Sequence, residues 1–509
     1  MKNIIFILFL LLSIPIVAQI DNVIYGKEYT NNRKNSFNGF VGENNLSVFG
    51  VDYASLNSKK YDLLINAYYK NDLSLVESKN IYTNPLDGFI NEPLEIFYQQ
   101  NKYYLFAKFT NKKEGEVFMG LSIFNEAGQN TSFEIIDTIE QDSKTNIIVT
   151  QSEDKQNFIQ ILNHPHKVAN RQVLELKTFN LQGQTIWQKD LLSTNSVSNT
   201  QVEKVIYTNN EVYILCSNGY KNGLNINNTP TVLSNKYTLW VYNKKLNFMK
   251  EVVLRLKLKW INGISMALNY NKELIISGFI NTSREFGING VFNLVLNQKY
   301  EVSTINYHPF SKETFKKFVR PKNIDKVKYL PNFYVRKLIV LSDGSFFLLG
   351  ENYYKFIERN YDPRTNITTT TEHFIYGNIM VCYFDNTAKL KWIENVPKSQ
   401  NTINDFGTYS SYTWINLKDK IMLFYNDNEK NLDLPVNDYF NQKELFNYRR
   451  NMQTYVLIDK EGVVKRGKLN QEKTNFLIYA KRSKPINNST MYLCTDYGRH
   501  SKIISVSFK

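Results

Sequence analysis

Short apolar strands with alternating residues, Asn or Asp followed by Gly at recurring turns, and no long amphipathic helical pattern predict an all-β repeat fold. The clearest repeat is a strand ending in an aromatic or aliphatic residue plus Asn or Asp, then a tight turn. Copies run over Leu121–Gly128, Leu176–Gly183, Leu239–Asn243, Phe292–Asn297, Val381–Asp385 and Tyr455–Gly462. A looser first copy lies at Leu63–Tyr69 and a last one at Ile503–Phe508. Asn or Asp hydrogen-bonds its own backbone to start such a turn, and Gly accepts the left-handed conformation that closes it. Another strand precedes each copy: Tyr103–Phe106, Phe158–Ile161, Val212–Leu215, Glu273–Ile276, Phe346–Leu349, Ile421–Phe424 and Met491–Cys494, with Leu46–Phe49 in the same series. About eight units (alternatively seven), roughly 55 to 75 residues apart, suit a single β-propeller of four-stranded blades with variable loops. The last copy stops where an outer strand should follow, and Asn22–Tyr29 reads as a strand without a hairpin partner. Pairing that N-terminal strand onto the last blade is expected to close the ring and remove an exposed edge.

Residues 1–18 read as a secretory signal peptide: Lys2, an apolar run from Ile4 to Val17, then the small Ala18 before a polar continuation. The mature chain, 19–509, is expected to be one propeller domain, a monomer, exported to the periplasm or outside the cell. No later stretch has the length of a transmembrane helix. The net charge of +15 favours anionic partners, such as a polysaccharide of the cell envelope. The cations are spread along the chain rather than gathered in a block, and nucleic acid is disfavoured for an exported protein. Cys216, Cys382 and Cys494 each sit inside an apolar run and read as buried small hydrophobes rather than a disulfide framework.

Three insertion loops fall at one position of the repeat, at 217–236, 351–376 and 426–452. Insertions at matching repeat positions open on one face, often the binding face. The second carries Tyr353, Tyr354, Phe356, Arg359, Tyr361 and Arg364; the third carries Tyr439, Phe440, Phe446, Tyr448, Arg449 and Arg450. Aromatic and Arg side chains anchor protein interfaces, stack on sugars and recognise anions. The competing reading is that these aromatics pack the long loops onto the blades. Metal signals are thin: His164-Pro-His166 is a close histidine pair, and Asp427-Asn-Glu429 with Asp433 offers oxygen ligands without the order of an EF-hand loop. No cofactor is expected. Nucleophile-elbow, P-loop and zinc-protease patterns are absent. Paired carboxylates drawn from different blades remain invisible to sequence spacing.

Tyr376-Gly-Asn-Ile-Met-Val381, Leu390-Lys-Trp392 with Val396-Pro-Lys-Ser-Gln400, and Phe424-Tyr-Asn-Asp-Asn-Glu-Lys-Asn431 carry a resemblance. On these stretches, between about Val335 and Gly467, the chain resembles a group of exported β-propeller-like repeat proteins of Bacteroidetes bacteria. The resemblance implies an exported repeat protein and supplies no catalytic residues. The leading expectation is therefore a cell-envelope binding or scaffold protein that holds a protein or glycan on its long-loop face. A propeller-type carbohydrate-active enzyme (glycoside hydrolase or lyase) and a purely structural or sensory module are the alternatives.

Overall fold

The computed structural model describes residues 20–30, 36–57, 60–81, 86–139, 145–165, 172–192, 200–218, 237–254, 256, 259–283, 287–470 and 474–508. The signal segment, His166 and all of the 217–236 insertion beyond Asn218 lie outside them. The described chain is all-β, in eight sheets taken in chain order, antiparallel but for one short parallel pairing in the sixth. Sheet I holds Ser36–Glu43, Ser47–Asn57, Lys60–Tyr69 and Leu75–Asn80; sheet II holds Ile90–Gln99, Lys102–Asn111, Glu116–Asn125 and Asn130–Ile139. Sheet III holds Asn146–Gln151, Asn157–Pro165, Gln172–Asn180 and Thr185–Leu192; sheet IV holds Thr200–Tyr207, Glu211–Asn218, Tyr237–Asn243 and Phe248–Leu254. Sheet V holds Trp260–Leu268, Leu274–Asn281, Gly290–Leu296 and Val302–Pro309. Sheet VI is built on Phe333–Val340, Phe346–Asp362, Ile367–Phe384 and Leu390–Val396; sheet VII on Thr413–Leu417, Lys420–Asn428, Asn451–Asp459 and Val464–Lys468. Sheet VIII joins Leu477–Ile478, Lys484–Pro485, Thr490–Tyr497 and His500–Phe508 to the N-terminal strands Ile20–Tyr25 and Tyr29–Thr30.

The expected turn chemistry is present. The Asn125 side chain accepts from the Gln129 N–H at 2.9 Å, and Gly128 closes that turn at φ 76°. Asn180 and Gly183 repeat the arrangement in sheet III. Period-two burial then divides each second strand between two neighbours. In Glu211–Asn218, Val212, Ile214 and Cys216 pack toward sheet III, while Tyr213 and Leu215 pack toward sheet V. Each sheet meets the next through one such apolar cluster. Sheet VIII also meets sheet I, where Phe40, Val48 and Tyr68 pack on Tyr492, Cys494 and Ile503. Ile20–Tyr25 runs antiparallel to His500–Phe508, with Val23 opposite Val506. All three cysteines are buried and free, as read from the sequence. Among the described residues no helix is long and apolar enough to cross a membrane.

Two expectations need correction. The 351–376 insertion is not a loop: strands Phe346–Asp362 and Ile367–Phe384 continue through it as one hairpin arm, paired to Asp362 opposite Ile367. Beyond Tyr353 apolar burial thins out along the arm, so the alternation that reveals a half-buried strand is missing, and backbone pairing carries the hairpin on to its tip. The 426–452 insertion begins as strand to Asn428 and then folds over a short 3-10 turn, Glu429–Asn431. Its Leu445–Phe446 pairs in parallel with Gln400–Ile403, which itself pairs with the base of the arm. The two insertions are thereby joined through a single short strand.

A candidate binding face and channel mouth

Antiparallel strands place their turns alternately at two ends of each sheet. The first-to-second and third-to-fourth turns are tight and lie at one end, where they bond across sheets: Asn44 to Glu126 at 3.0 Å, and Trp392 to the Lys460 carbonyl at 2.7 Å. The second-to-third connections, which include the arm and the 426–452 insertion, lie at the other end. There Thr413 donates to the Ser483 carbonyl at 2.8 Å and Asn426 to the Ile478 carbonyl at 2.8 Å. This second end is the long-connection face.

The eleven residues read as a binding set, and Phe446, divide into three groups on this face. Tyr353 is half-buried on Tyr376, with ring centroids 4.6 Å apart, and Phe356 stacks on His373 at 4.2 Å. Tyr354 is half-buried beside Phe356. Tyr448 donates to Asp405 at 2.7 Å and accepts from the Tyr409 N–H at 3.1 Å. These four brace the arm and the loop beneath it. Arg359, Tyr361 and Arg364 are exposed at the arm's tip, and Arg449 and Arg450 are exposed near Phe446 at its base. Tyr439 and Phe440 sit apart, on Glu394 and Arg320.

Phe406 is an aromatic that sequence reasoning missed. It is 76% exposed, and its backbone is left-handed at φ 58°. A bulky residue in that region costs about 1–3 kcal/mol and persists where the surroundings enforce it. Those surroundings are visible: Asp405 accepts from the Thr402 hydroxyl at 2.6 Å and the Gly407 N–H at 2.9 Å, and Asn404 pairs both ways with the Glu372 backbone. These bonds pin the loop, and its phenyl ring touches Phe374 at 5.8 Å between centroids while leaving most of its surface in solvent.

Beneath the face lies a buried charge network. Glu351, with no exposed side-chain surface, meets Lys398 Nζ at 2.9 Å and Arg336 at 2.7 Å, and accepts from Ser411 at 2.7 Å. Burial alone pushes the Glu351 carboxyl up, but the Lys398 ammonium and Arg336 guanidinium outweigh it and hold the group below its ordinary range. Gln400 ties the network to sheet VII, donating to the Asn426 carbonyl at 2.7 Å and accepting from the Ser411 N–H at 2.8 Å. Arg336 faces a cavity of about 370 Å³ whose lining includes Tyr412, Trp414, Lys481 and Lys484. Its lining comes from the starts of the first strands of sheets VI, VII and VIII, at the long-connection end. The cavity is therefore lined by cations and aromatics, and the Glu351 carboxylate that pairs with its Arg336 is itself buried.

The Asp427, Glu429 and Asp433 candidate does not assemble, and the His164-Pro-His166 candidate lies partly outside the described residues. Asp427 is buried, accepting from the Asn428 N–H at 2.8 Å and Asn431 at 2.7 Å, while Asp433 is exposed. Burial raises the Asp427 carboxyl to about 6. His164 bonds Glu175 at 2.7 Å. Among the described residues no group of His, Cys, Asp and Glu is placed to hold a metal ion.

No family model matches the chain, and no curated protein matches it. Among solved structures it is similar to the WD40 domain of SCAP from fission yeast, at 10% identity and TM-score 0.43, covering 96% of this chain and 98% of that one. It is also similar to the polysaccharide lyase Uly1, at 9% identity and TM-score 0.38, covering 95% and 99%. The β-propeller domain of the Trilobed protease from Pyrococcus furiosus matches at 9% identity and TM-score 0.33, covering 72% and 94%.

Proposed function

We propose that this chain is an exported, non-catalytic β-propeller, a monomer that holds a protein or glycan of the cell envelope on its long-connection face. In this reading the eight sheets are the blades of one closed ring, and Ile20–Tyr25 is the outer strand of the last blade. The apolar packing of sheet VIII on sheet I and the pairing of Ile20–Tyr25 with His500–Phe508 support closure. The apolar run ending at Ala18 supports export, and the resemblance to exported proteins of Bacteroidetes agrees with it.

Phe406 carries the binding reading. Phe406 meets the Phe374 ring at 5.8 Å between centroids yet keeps 76% of its surface in solvent at a left-handed position, and an aromatic held this way on a well-bonded loop is what a partner uses as an anchor. The exposed Tyr361 and Ile367 at the arm's tip extend the apolar surface, and Arg359, Arg364, Arg449 and Arg450 give it a cationic rim. The test pairs Phe406→Asn, which suits the backbone, with Tyr361→Ala. The double variant should keep the wild-type melting temperature and retain an envelope component about tenfold more weakly, or worse. Equal retention by both proteins rejects the face.

One observation favours the enzyme reading. Asp52 of sheet I is raised to about 6, chiefly by burial, and the Asp496 carboxylate of sheet VIII adds to the shift. Asp496 is itself raised by burial, with Tyr409 donating to it at 3.5 Å and Arg482 nearby. Carboxyls of raised proton affinity act as general acids near neutral pH. Glycan depolymerisation that Asp52→Asn abolishes without loss of stability would establish this reading. No turnover across neutral and acidic glycans would dismiss it.

A further inference from the structure

At the end opposite Phe406, tight turns of sheets III, IV and V close around a cleft of about 760 Å³. That volume lies in the range of small-molecule sites, about 300–1,000 Å³. One of the turns departs from its repeat. In the third-to-fourth turns of sheets II, III and VII, the closing residue is Gly128, Gly183 or Gly462, each at positive φ. Each donates its N–H to the carbonyl of the Asn or Asp three residues earlier. In sheet V that place belongs to Tyr300, at φ 58° and donating to the Asn297 carbonyl at 2.9 Å. A left-handed backbone disfavours a bulky residue, so its neighbours must hold it there. Tyr300 is 7% exposed, and its hydroxyl donates to Glu211 at 2.5 Å and accepts from Asn243 at 2.9 Å. Tyr213 also donates to Glu211, at 2.8 Å, so this wall of the cleft is fixed before any ligand arrives. Phe248 stacks on Tyr300, with planes 14° and centroids 6.2 Å apart, yet keeps 43% of its surface in solvent. Leu246 beside it is 68% exposed.

The charges of the lining cancel. Glu153, Asp154 and Glu211 share it with Lys245, Lys272 and Lys299, three of each sign, on a chain whose net charge is +15. Amides supply much of the rest, from Asn209, Asn210, Asn243, Asn269 and Gln298, and an amide both donates and accepts. Several of these groups are left for a ligand. The side chains of Glu153, Asn210 and Lys272 bond to no other described residue. Gln298 donates to the Asn271 carbonyl at 2.9 Å and keeps its own side-chain oxygen free. An anion calls for a cationic lining and a lipid for a continuous apolar wall. A sugar ring matches what is here: no net charge, hydroxyls that donate and accept, and a C–H face that lies flat on an aromatic ring.

We propose that this cleft is a binding site for a small neutral sugar, of about one or two pyranose rings, stacked on Phe248 with its hydroxyls shared among Glu153, Asn210, Lys272 and Gln298. The site goes beyond the Phe406 face. The two lie at opposite ends and take ligands of different size, and either can fail without the other.

Calorimetric titration of the intact chain with maltose, cellobiose and di-N-acetylchitobiose tests it, with digalacturonate as the charged counterpart. At least one of the neutral disaccharides should bind, and digalacturonate should bind more weakly. The affinity should hold between about 0.05 and about 0.5 M sodium chloride, because no net charge is matched. Phe248→Ala should weaken binding about tenfold, and Phe248→Trp, which keeps a flat apolar face, should retain it. Should Phe248→Ala misfold, Asn210→Ala supplies a second variant at an exposed turn position, and should weaken binding about threefold. The Phe406→Asn, Tyr361→Ala double variant should bind the sugar as the unaltered chain does. No heat with any neutral disaccharide, tighter binding of digalacturonate, or affinity unchanged in both Phe248→Ala and Asn210→Ala overturns the proposal. Loss of sugar binding in the double variant overturns it too, because the sugar would then sit on the Phe406 face.

Discussion

Replacing Glu351 by Gln is expected to destabilise the protein by about 3–5 kcal/mol, the cost of leaving buried charge uncompensated. Lys398 has no exposed side-chain surface, and its ammonium is 2.9 Å from the carboxylate that the substitution removes. Its other contacts are the Tyr376 carbonyl at 3.2 Å and Gln400 at 3.0 Å, neither of which carries charge. Arg336 loses its carboxylate as well, but it keeps about a third of its side-chain surface in solvent and relaxes more cheaply. The double variant Glu351→Gln with Lys398→Met should therefore recover part of the loss. Urea unfolding at constant slope measures both. A midpoint for Glu351→Gln equal to wild type would mean that the network does not hold sheets VI and VII together at the face.

Removal of residues 19–30 should be as damaging, for a different reason. Ile20 and Val23 pack on the cluster between sheets VII and VIII, and Ile24 and Tyr29 on the cluster between sheets VIII and I. Tyr25 also donates to the Leu469 carbonyl at 2.8 Å, and Tyr68 to Tyr29 at 2.8 Å. Partial burial of four such side chains contributes on the order of 4–6 kcal/mol. Their loss also bares the edge of His500–Phe508, a strand ready to pair with another chain. The shortened protein should melt well below the chain that keeps residues 19–30 and associate through the open edge, as sedimentation would show. A monomer of unchanged melting temperature would contradict the closed ring.

The second and third strands of each unit were legible because they alternate cleanly and end in Asn or Asp turns, as at Asn125 and Asn180. The first strands were not. A bulge breaks the period of two, so Ile261 and Ile264 fall out of step. A trace does exist: Val202-Glu-Lys-Val-Ile206 and Val335-Arg-Lys-Leu-Ile339 repeat one pattern at one place in two units. The Glu351–Lys398 pair had no such trace, because Glu351 lies in a strand and Lys398 in the connection after Val396, and the two meet only when sheet VI folds. Phe406 was hidden for another reason: exposure and a left-handed backbone are properties of the folded loop, not of the residue type. The arm was read as a loop because Lys355, Glu358, Arg359 and the run Thr368–Thr371 offer no buried side.

The claim that the long-connection face holds an envelope partner is tested most directly by site-specific photo-crosslinking in cells that export the chain. One crosslinking amino acid replaces Phe406; a control replaces Phe248, which is 43% exposed near the tight turns of the opposite end. The account predicts a discrete adduct from position 406 and none from position 248. No adduct at 406, or the same adduct from both positions, would contradict it.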